Sequence, residues 1–382
     1  MPKDFRKIIY DYGEDDFKYN PVSTPIYETS IFTFASFDDF KQGLKEKQFN
    51  YTRGFNPTVR VLERKLAALE GGQEAKFFAS GISAVSAAVM SQLKKDDHVI
   101  SVNDCYSWTH SLFKKYLPRF GVETTFVDGR QVTDFKEALK ENTRVIFLES
   151  PTTFTFNLQD LEAVCNLATE KNIVTIIDNS WATPLFQNPI DFGVDIVVAS
   201  ASKYIGGHSD VVGGYLVCKN KEMFEHIFDT EFMNIGAVPG PFESWLFIRG
   251  LRTLPLRLET HMNSALAVVD FLESHKKIEY VSYPYHPAHP QYNLALKQMR
   301  GGTGLFSFRI NTTSTEKIKH FTDELKIFKK GVSWGGYESL IAPCALDNSL
   351  EGTQKAGVIR IHIGLEGSEN IIADLNHALK NI

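Results

Sequence analysis

The sequence holds little that could staple, anchor or charge it strongly. Only four of its 382 residues are cysteine (Cys105, Cys165, Cys218 and Cys344), and no two form a C-x-x-C pair. That excludes a disulfide scaffold and a cysteine-rich zinc site, and leads us to expect a reducing, cytoplasmic setting. No apolar run approaches the ~20 residues that span a bilayer. The opening Met1-Pro-Lys-Asp-Phe-Arg-Lys7 is too charged for a secretory leader. Basic residues are not in excess: 41 Lys and Arg face 46 Asp and Glu, a formal net charge of −5. A duplex-binding footprint is therefore not expected. No G-x-G-x-x-G follows the first apolar run, which argues against a dinucleotide-binding dehydrogenase. Internal repeats and low-complexity stretches are also missing. The acidic run Asp11–Asp16 reads as solvent-exposed.

What is present is an ordinary globular balance, 43% hydrophobic and 23% charged residues. Single cores stop growing at roughly 250–300 residues, so a chain of this length calls for two domains, or one with an appendage. Residues 21–57, rich in Thr, Phe and Tyr, read as an extended arm. Val61, Leu62, Leu66 and Leu69 then follow a helical spacing that stops at Gly71-Gly72. Seven short apolar runs come next: Lys76–Ala79, His98–Val102, Thr124–Val127, Arg144–Leu148, Ile173–Ile177, Asp195–Ala199 and Tyr215–Cys218. Most lack period-2 alternation, as strands buried on both faces do. Helical stretches such as Ile82–Leu93, Thr133–Leu139 and Leu158–Thr169 separate them. The alternation predicts a mostly parallel, doubly wound α/β sheet over 72–220. A long helix over Leu254–Leu272, strands at Leu305–Ile310 and Val358–Ile363, and helices near Thr315–Leu325 and up to Leu379 predict a smaller α+β domain. The expected division is an arm (1–57), a large domain (58–252) and a small domain (253–382).

Ligands of such sheets bind beyond the carboxyl ends of the strands. There, Ile176-Ile177-Asp178 ends one run in a carboxylate, and the next leads into Ser200-Ala-Ser-Lys203-Tyr-Ile-Gly-Gly-His-Ser-Asp210. A lysine flanked by hydroxyls and glycines suits a Schiff-base amine beside a phosphate. Singly, Asp178 could cap a helix and Lys203 could be a surface lysine. At adjacent strand ends the pair points to one crevice. Ala79-Ser80-Gly81-Ile82, a strand-to-helix turn, is either a plain cap or a phosphate cradle. His208 is expected to orient backbone. Tyr283-Pro-Tyr-His286-Pro-Ala-His289-Pro lacks a third ligand at metal spacing and reads as a stiff surface crossing.

These residues resemble the Cys/Met-metabolism pyridoxal-phosphate enzymes, which have the aspartate-aminotransferase-like fold type I, and the resemblance runs nearly the whole length. Ser200–Asp210 resembles the family's cofactor-lysine signature. Tyr51-Thr-Arg53-Gly-Phe-Asn-Pro-Thr58 resembles its arm motif, Asn103-Asp-Cys-Tyr106 the segment of the ring-stacking tyrosine, and Ile359-Arg360-Ile-His-Ile-Gly-Leu-Glu366 the segment of the carboxylate-binding arginine. The resemblance implies pyridoxal 5′-phosphate held by Lys203, with Asp178 on the ring nitrogen and Tyr106 stacked on the ring. Gly81, Ile82, Ser200 and Ser202 would hold its phosphate, joined by Tyr51 and Arg53 from a second subunit. Lys203 and Tyr106 would be catalytic, and Arg360, Ser333 and Trp334 would bind substrate. A homodimer is the minimum this implies, with a homotetramer suggested, and no metal, nucleic acid or membrane partner.

Departures from the family's patterns narrow the choice. Many members carry an Asn where this chain has Thr153, and γ-synthases and γ-lyases commonly carry a Glu where it has Val332. Methionine γ-lyases typically carry a Cys where it has Trp108. Ser333-Trp-Gly-Gly-Tyr-Glu-Ser-Leu340 and Thr153 bring the chain closer to bacterial cystathionine β-lyases. The expected activity is α,β-elimination from cystathionine to homocysteine, pyruvate and ammonia, with lanthionine, cystine or cysteine as related substrates. γ-Chemistry in the same fold, and a non-catalytic regulatory protein that keeps the cofactor, are the alternatives.

Overall fold

Asn56 accepts a hydrogen bond from Thr58 N and Pro57 follows as the first helical residue, which starts the helix Pro57–Glu70. It stops at Gly71, whose φ of +85° suits a residue without a Cβ. The computed structural model describes residues 4–14, 17–46, 49–312, 314–343 and 358–382.

After this helix come seven strands: β1 (Glu74–Phe78), β2 (His98–Val102), β3 (Glu123–Val127), β4 (Thr143–Glu149), β5 (Val174–Asp178), β6 (Ile196–Ala199) and β7 (Gly214–Cys218). They form one sheet in the order β1-β7-β6-β5-β4-β2-β3. All run parallel except β7, which is antiparallel to both β1 and β6. Successive residues feed opposite cores. Ile176, Ile196 and Val198 lie in one, and Ile177, Val197 and Ala199 in the other. Burial on both faces is why these runs are almost wholly apolar.

A second sheet has the order β10-β11-β12-β9-β8, from β8 (Ile278–Ser282), β9 (Leu305–Ile310), β10 (Lys329–Lys330), β11 (Leu340–Pro343) and β12 (Val358–His362). Its core gathers Phe306, Phe308 and Ile361 with Leu375 of the last helix, Ser368–Lys380. The helix Pro241–Glu273 serves both sheets: Phe247, Leu251 and Leu258 belong to the large-sheet core, and Ala265, Val269 and Leu272 to the small-sheet core.

Several sequence expectations need correction. The long helix starts at Pro241, not Leu254, and carries Pro255 within it. The arm is not wholly extended. Ser36 caps a helix over Phe37–Lys45 by accepting from Asp39 N, and Asp38 and Asp39 favour the positive end of its dipole. A further helix spans Phe5–Tyr10. Glu14 is not a solvated end of an acidic run. It pairs with Lys65 at 2.9 Å and Arg252 at 3.0 Å, while Asp15 and Asp16 lie outside the described residues. Cys105, Cys165 and Cys218 are buried thiols; Cys344 also lies outside. Among the described residues no helix is long and apolar enough to cross a membrane.

Phe247 is fully buried, with its ring 4.9 Å from that of Phe77. Phe247→Ala is expected to lower unfolding free energy by about 3–5 kcal/mol, measured by urea denaturation at fixed protein concentration.

Candidate active site

The carboxyl ends of β4, β5 and β6 lie side by side, with Glu149 in register with Asp178 and Asp178 with Val198. Asp178 Oδ1 accepts from Ser180 N at 2.9 Å. Burial raises its pKa above the ordinary carboxylate range, and hydrogen bonds from Ser180 and the charge of Lys203 oppose the shift. Ser180 Oγ in turn accepts from Ser200 N at 2.7 Å, tying the exits of β5 and β6 together. The chain then coils back on itself: Lys203 N donates to Ser200 O, Gly206 N to Ala201 O and Gly207 N to Lys203 O. Ser202 Oγ is held by Gly213 at the start of the return to β7.

From this turn Lys203 Nζ donates to Ser333 Oγ at 2.8 Å and stands 5.4 Å from the Trp334 ring centroid. Burial and the nearby Arg360 pull its pKa down to about 8, against the pull of Asp178. Gly335, at φ +86°, passes so close that a Cβ there would stand 2.9 Å from Lys203 Cα.

Ser80 caps the helix Gly81–Met90 by accepting from Ser83 N. Gly81 and Ile82 fill the first turn, where helix N–H groups lack intrahelical partners. A Cβ on Gly81 would sit 2.9 Å from Ser200 Cβ, so only glycine lets these two segments meet. The free N–H groups at the positive end of this helix dipole thus lie against Ser200.

Tyr106 is anchored by its own N–H on Glu149 Oε2 at 2.7 Å. Burial, Asp178 and Glu149 raise its phenol, and Arg360 opposes them. The phenol is therefore protonated near neutral pH. Arg360, on β12, is 7% exposed. It donates through Nη1 to Thr153 Oγ1 at 3.2 Å and through Nη2 to Val332 O at 2.7 Å, and covers the Phe154 ring at 4.8 Å. Asp104 Oδ2 accepts from Phe154 N, Thr155 N and Thr155 Oγ1, and so shapes the loop that meets the arginine.

Lys203, Asp178, Tyr106, Arg360, Ser333 and Trp334 are thus linked by contact or by mutual electrostatics, with Gly81 packed against Ser200. Tyr51 and Arg53 are not part of this group within one chain. Tyr51 bridges to Ile31 in the arm, and Arg53 Nη1 donates to Met233 O at 2.6 Å. Trp108 lines a cavity of about 450 Å³ with Phe78, Ile82 and Tyr116. Phe154 and Asp104 are site-shaping residues that sequence reasoning missed. Asp104 lay inside a recognised motif, and its acidic side chain at a strand exit was the available signal. His208 Nδ1 pairs with Gly206 O, a backbone-orienting contact. His286 pairs with Asp270, and among the described residues no cluster of His, Cys, Asp or Glu suits a metal.

The sequence profile of the Cys/Met metabolism PLP-dependent enzymes matches residues 7–380. An L-methionine gamma-lyase of Fusobacterium nucleatum subsp. nucleatum is 41% identical over 379 residues, covering 95% of each chain. A cystathionine beta-lyase of Lactococcus lactis subsp. cremoris is 36% identical over 383 residues, covering 98% of each. The crystal structure of metB from Corynebacterium glutamicum superposes with a TM-score of 0.92 at 36% identity, over 99% of this chain and 98% of that one.

The local chemistry fits a pyridoxal-type group. Gly81 lets the free N–H groups of a helix start pack directly against the Ser200 hydroxyl, a donor set suited to a phosphate, and Lys203 offers an amine with a pKa near 8. Among the described residues the recorded donors to Asp178 are those of Ser180, which leaves acceptor capacity for a ring N–H. This chain belongs to the Cys/Met metabolism PLP-dependent enzymes, and pyridoxal 5′-phosphate is its cofactor.

Proposed function

We propose that this chain is a carbon–sulfur lyase that cleaves cystathionine at the Cβ–S bond, releasing homocysteine, pyruvate and ammonia. Lanthionine, cystine and cysteine are substrates of the same chemistry. In this reading Lys203, Asp178, Tyr106, Gly81, Ile82, Ser200 and Ser202 hold the cofactor, with Tyr51 and Arg53 contributed by a second copy. The functional unit is at least a dimer and the chain works as arm, large domain and small domain. The arm's own surface supports an oligomer: Val22 is 99% and Phe37 74% exposed, an apolar face that suits a protein partner.

When bound, the cofactor supplies an electron sink for charge that develops at the substrate Cα. Arg360 pairs with the α-carboxylate through its planar fork, a match a lysine cannot provide. That contact aims the Cα–H bond at Lys203 Nζ, whose pKa near 8 lets the neutral amine accept the proton at physiological pH. Ser333 Oγ holds that amine in place. The Tyr106 phenol, kept protonated by burial and neighbouring carboxylates, donates to the departing sulfur. The enamine so released takes up water to give pyruvate and ammonia.

What carries the β reading is the segment that meets Lys203. Ser333 bonds its amine and Trp334 flanks it, and the residue before them is Val332, where γ-synthases and γ-lyases commonly carry a glutamate. γ-Elimination is the second reading, favoured by the 41% identity with an L-methionine gamma-lyase. Mass spectrometry of products from cystathionine and from methionine separates the two. Pyruvate with homocysteine is expected; 2-oxobutyrate as the main keto acid would overturn the β assignment.

Arg360→Met is expected to lower kcat/KM by roughly 10²–10³-fold, the loss of a two-pronged charge-assisted contact, measured by keto-acid release. The same arginine depresses the pKa of Lys203. Because the neutral amine is the nucleophile, attachment of pyridoxal 5′-phosphate to the cofactor-free protein is expected to accelerate as pH rises through about 8. In Arg360→Met the midpoint of that profile should move to higher pH, read from the absorbance change against pH.

A further inference from the structure

Lys76 is an ammonium group buried where a hydrocarbon side chain would pack. It sits on β1 and is 2% exposed. Its Nζ donates to Glu63 Oε1 at 2.8 Å and to Gly54 O at 2.7 Å. The remaining N–H lies among three aromatic rings, with Nζ at 4.5 Å from Phe232, 4.7 Å from Phe55 and 5.4 Å from Phe228. All three donors of the ammonium are therefore matched, two by oxygens and one by ring faces.

Such a pair is weak evidence for stability, because apolar residues of similar volume often serve as well. Its distinctive effect is geometric. Gly54 O belongs to the residue after Arg53, and Phe228 and Phe232 lie on the helical run that leads into Met233, whose carbonyl receives Arg53 Nη1. Lys76 thus pins the backbone of the Tyr51–Gly54 turn onto the same element that holds the arginine.

We propose that Lys76, in its cage of Phe55, Phe228 and Phe232, is a positioning residue that presents Arg53 and Tyr51 to the cofactor phosphate of a neighbouring copy. This rests on the reading of the arm given above. Without the ammonium, Gly54 O loses its buried donor and the turn carrying Arg53 is free to shift, so the phosphate contact weakens although Lys76 never touches it.

The test is the dissociation constant of pyridoxal 5′-phosphate from the oligomeric enzyme, measured by equilibrium dialysis, together with the sedimentation coefficient. Lys76→Met is expected to weaken binding about tenfold, the scale of one charge-assisted hydrogen bond, with the oligomer intact. In an Arg53→Ala background the same change should produce no further loss, since a residue acting through Arg53 has nothing left to position. An additive loss, or unchanged affinity in Lys76→Met, would overturn the proposal. An Arg53→Ala enzyme that binds cofactor as tightly as the parent would sink the arm reading itself and this inference with it. Should Lys76→Met fail to fold, Phe232→Leu keeps the Lys76–Glu63 pair while opening the cage. It is expected to weaken binding by about threefold and to be equally silent beside Arg53→Ala.

Discussion

Two parallel strands that end side by side place a sunken carboxylate next to an amine, and most of the site depends on that juxtaposition. Asp178 closes β5, and the chain leaving β6 reaches Lys203 four residues after Ala199. The Ser200 N to Ser180 Oγ bond holds the two exits at a fixed spacing. Each group alters the other. Burial raises Asp178 and lowers Lys203, while their opposite charges pull both back toward ionisation. A buried carboxylate and an amine able to lose its proton near neutral pH, each supporting the other's charge, follow from one strand alignment.

Completing the pocket takes a residue from the other sheet. Arg360 comes from β12, and its guanidinium spans from Val332 O to Thr153 on the β4 exit. The helix Pro241–Glu273 makes that approach rigid, because Phe247 to Leu258 are buried under the large sheet and Ala265 to Leu272 under the small one. At about 1.5 Å per residue its 33 residues extend roughly 50 Å. Two cores sharing one helix cannot slide past each other without breaking packing in both.

Legibility in the sequence tracked how local the controlling physics was. The strands of the large sheet were readable because most are apolar on both faces, although β3 at the edge is only partly buried, and the stop at Gly71 because a positive φ favours glycine. The edge strands β8 and β10 escaped. Glu279 and Tyr280 on β8 and the Lys329-Lys330 pair face solvent, and such segments show no apolar run. The helix Phe37–Lys45 was hidden by its aromatic surroundings, although Ser36 with Asp38 and Asp39 was a usable start signal. In the site, Lys203, Asp178, Tyr106 and Arg360 stood inside motifs. Phe154, which lies under the arginine, was not distinguishable from an ordinary loop residue, since its partner lies 206 positions away; Asp104, which moulds the loop beside it, stood inside a motif, but its partners some 50 positions away gave it no readable role.

The sequence by itself determined the alternation of strands and helices, the hydroxyl-rich turn around Lys203 and the glycine at the helix start, because these answer to hydrophobic period, backbone sterics and short-range hydrogen bonding. Only the tertiary structure decided which charges share a dielectric. It set Lys203 near pKa 8 by bringing Arg360 and burial together, turned Glu14 from a solvated acid into the partner of Lys65 and Arg252, and enclosed Lys76 among aromatic rings. Electrostatic environment depends on what the fold stacks around a group, and no local pattern of residues encodes that.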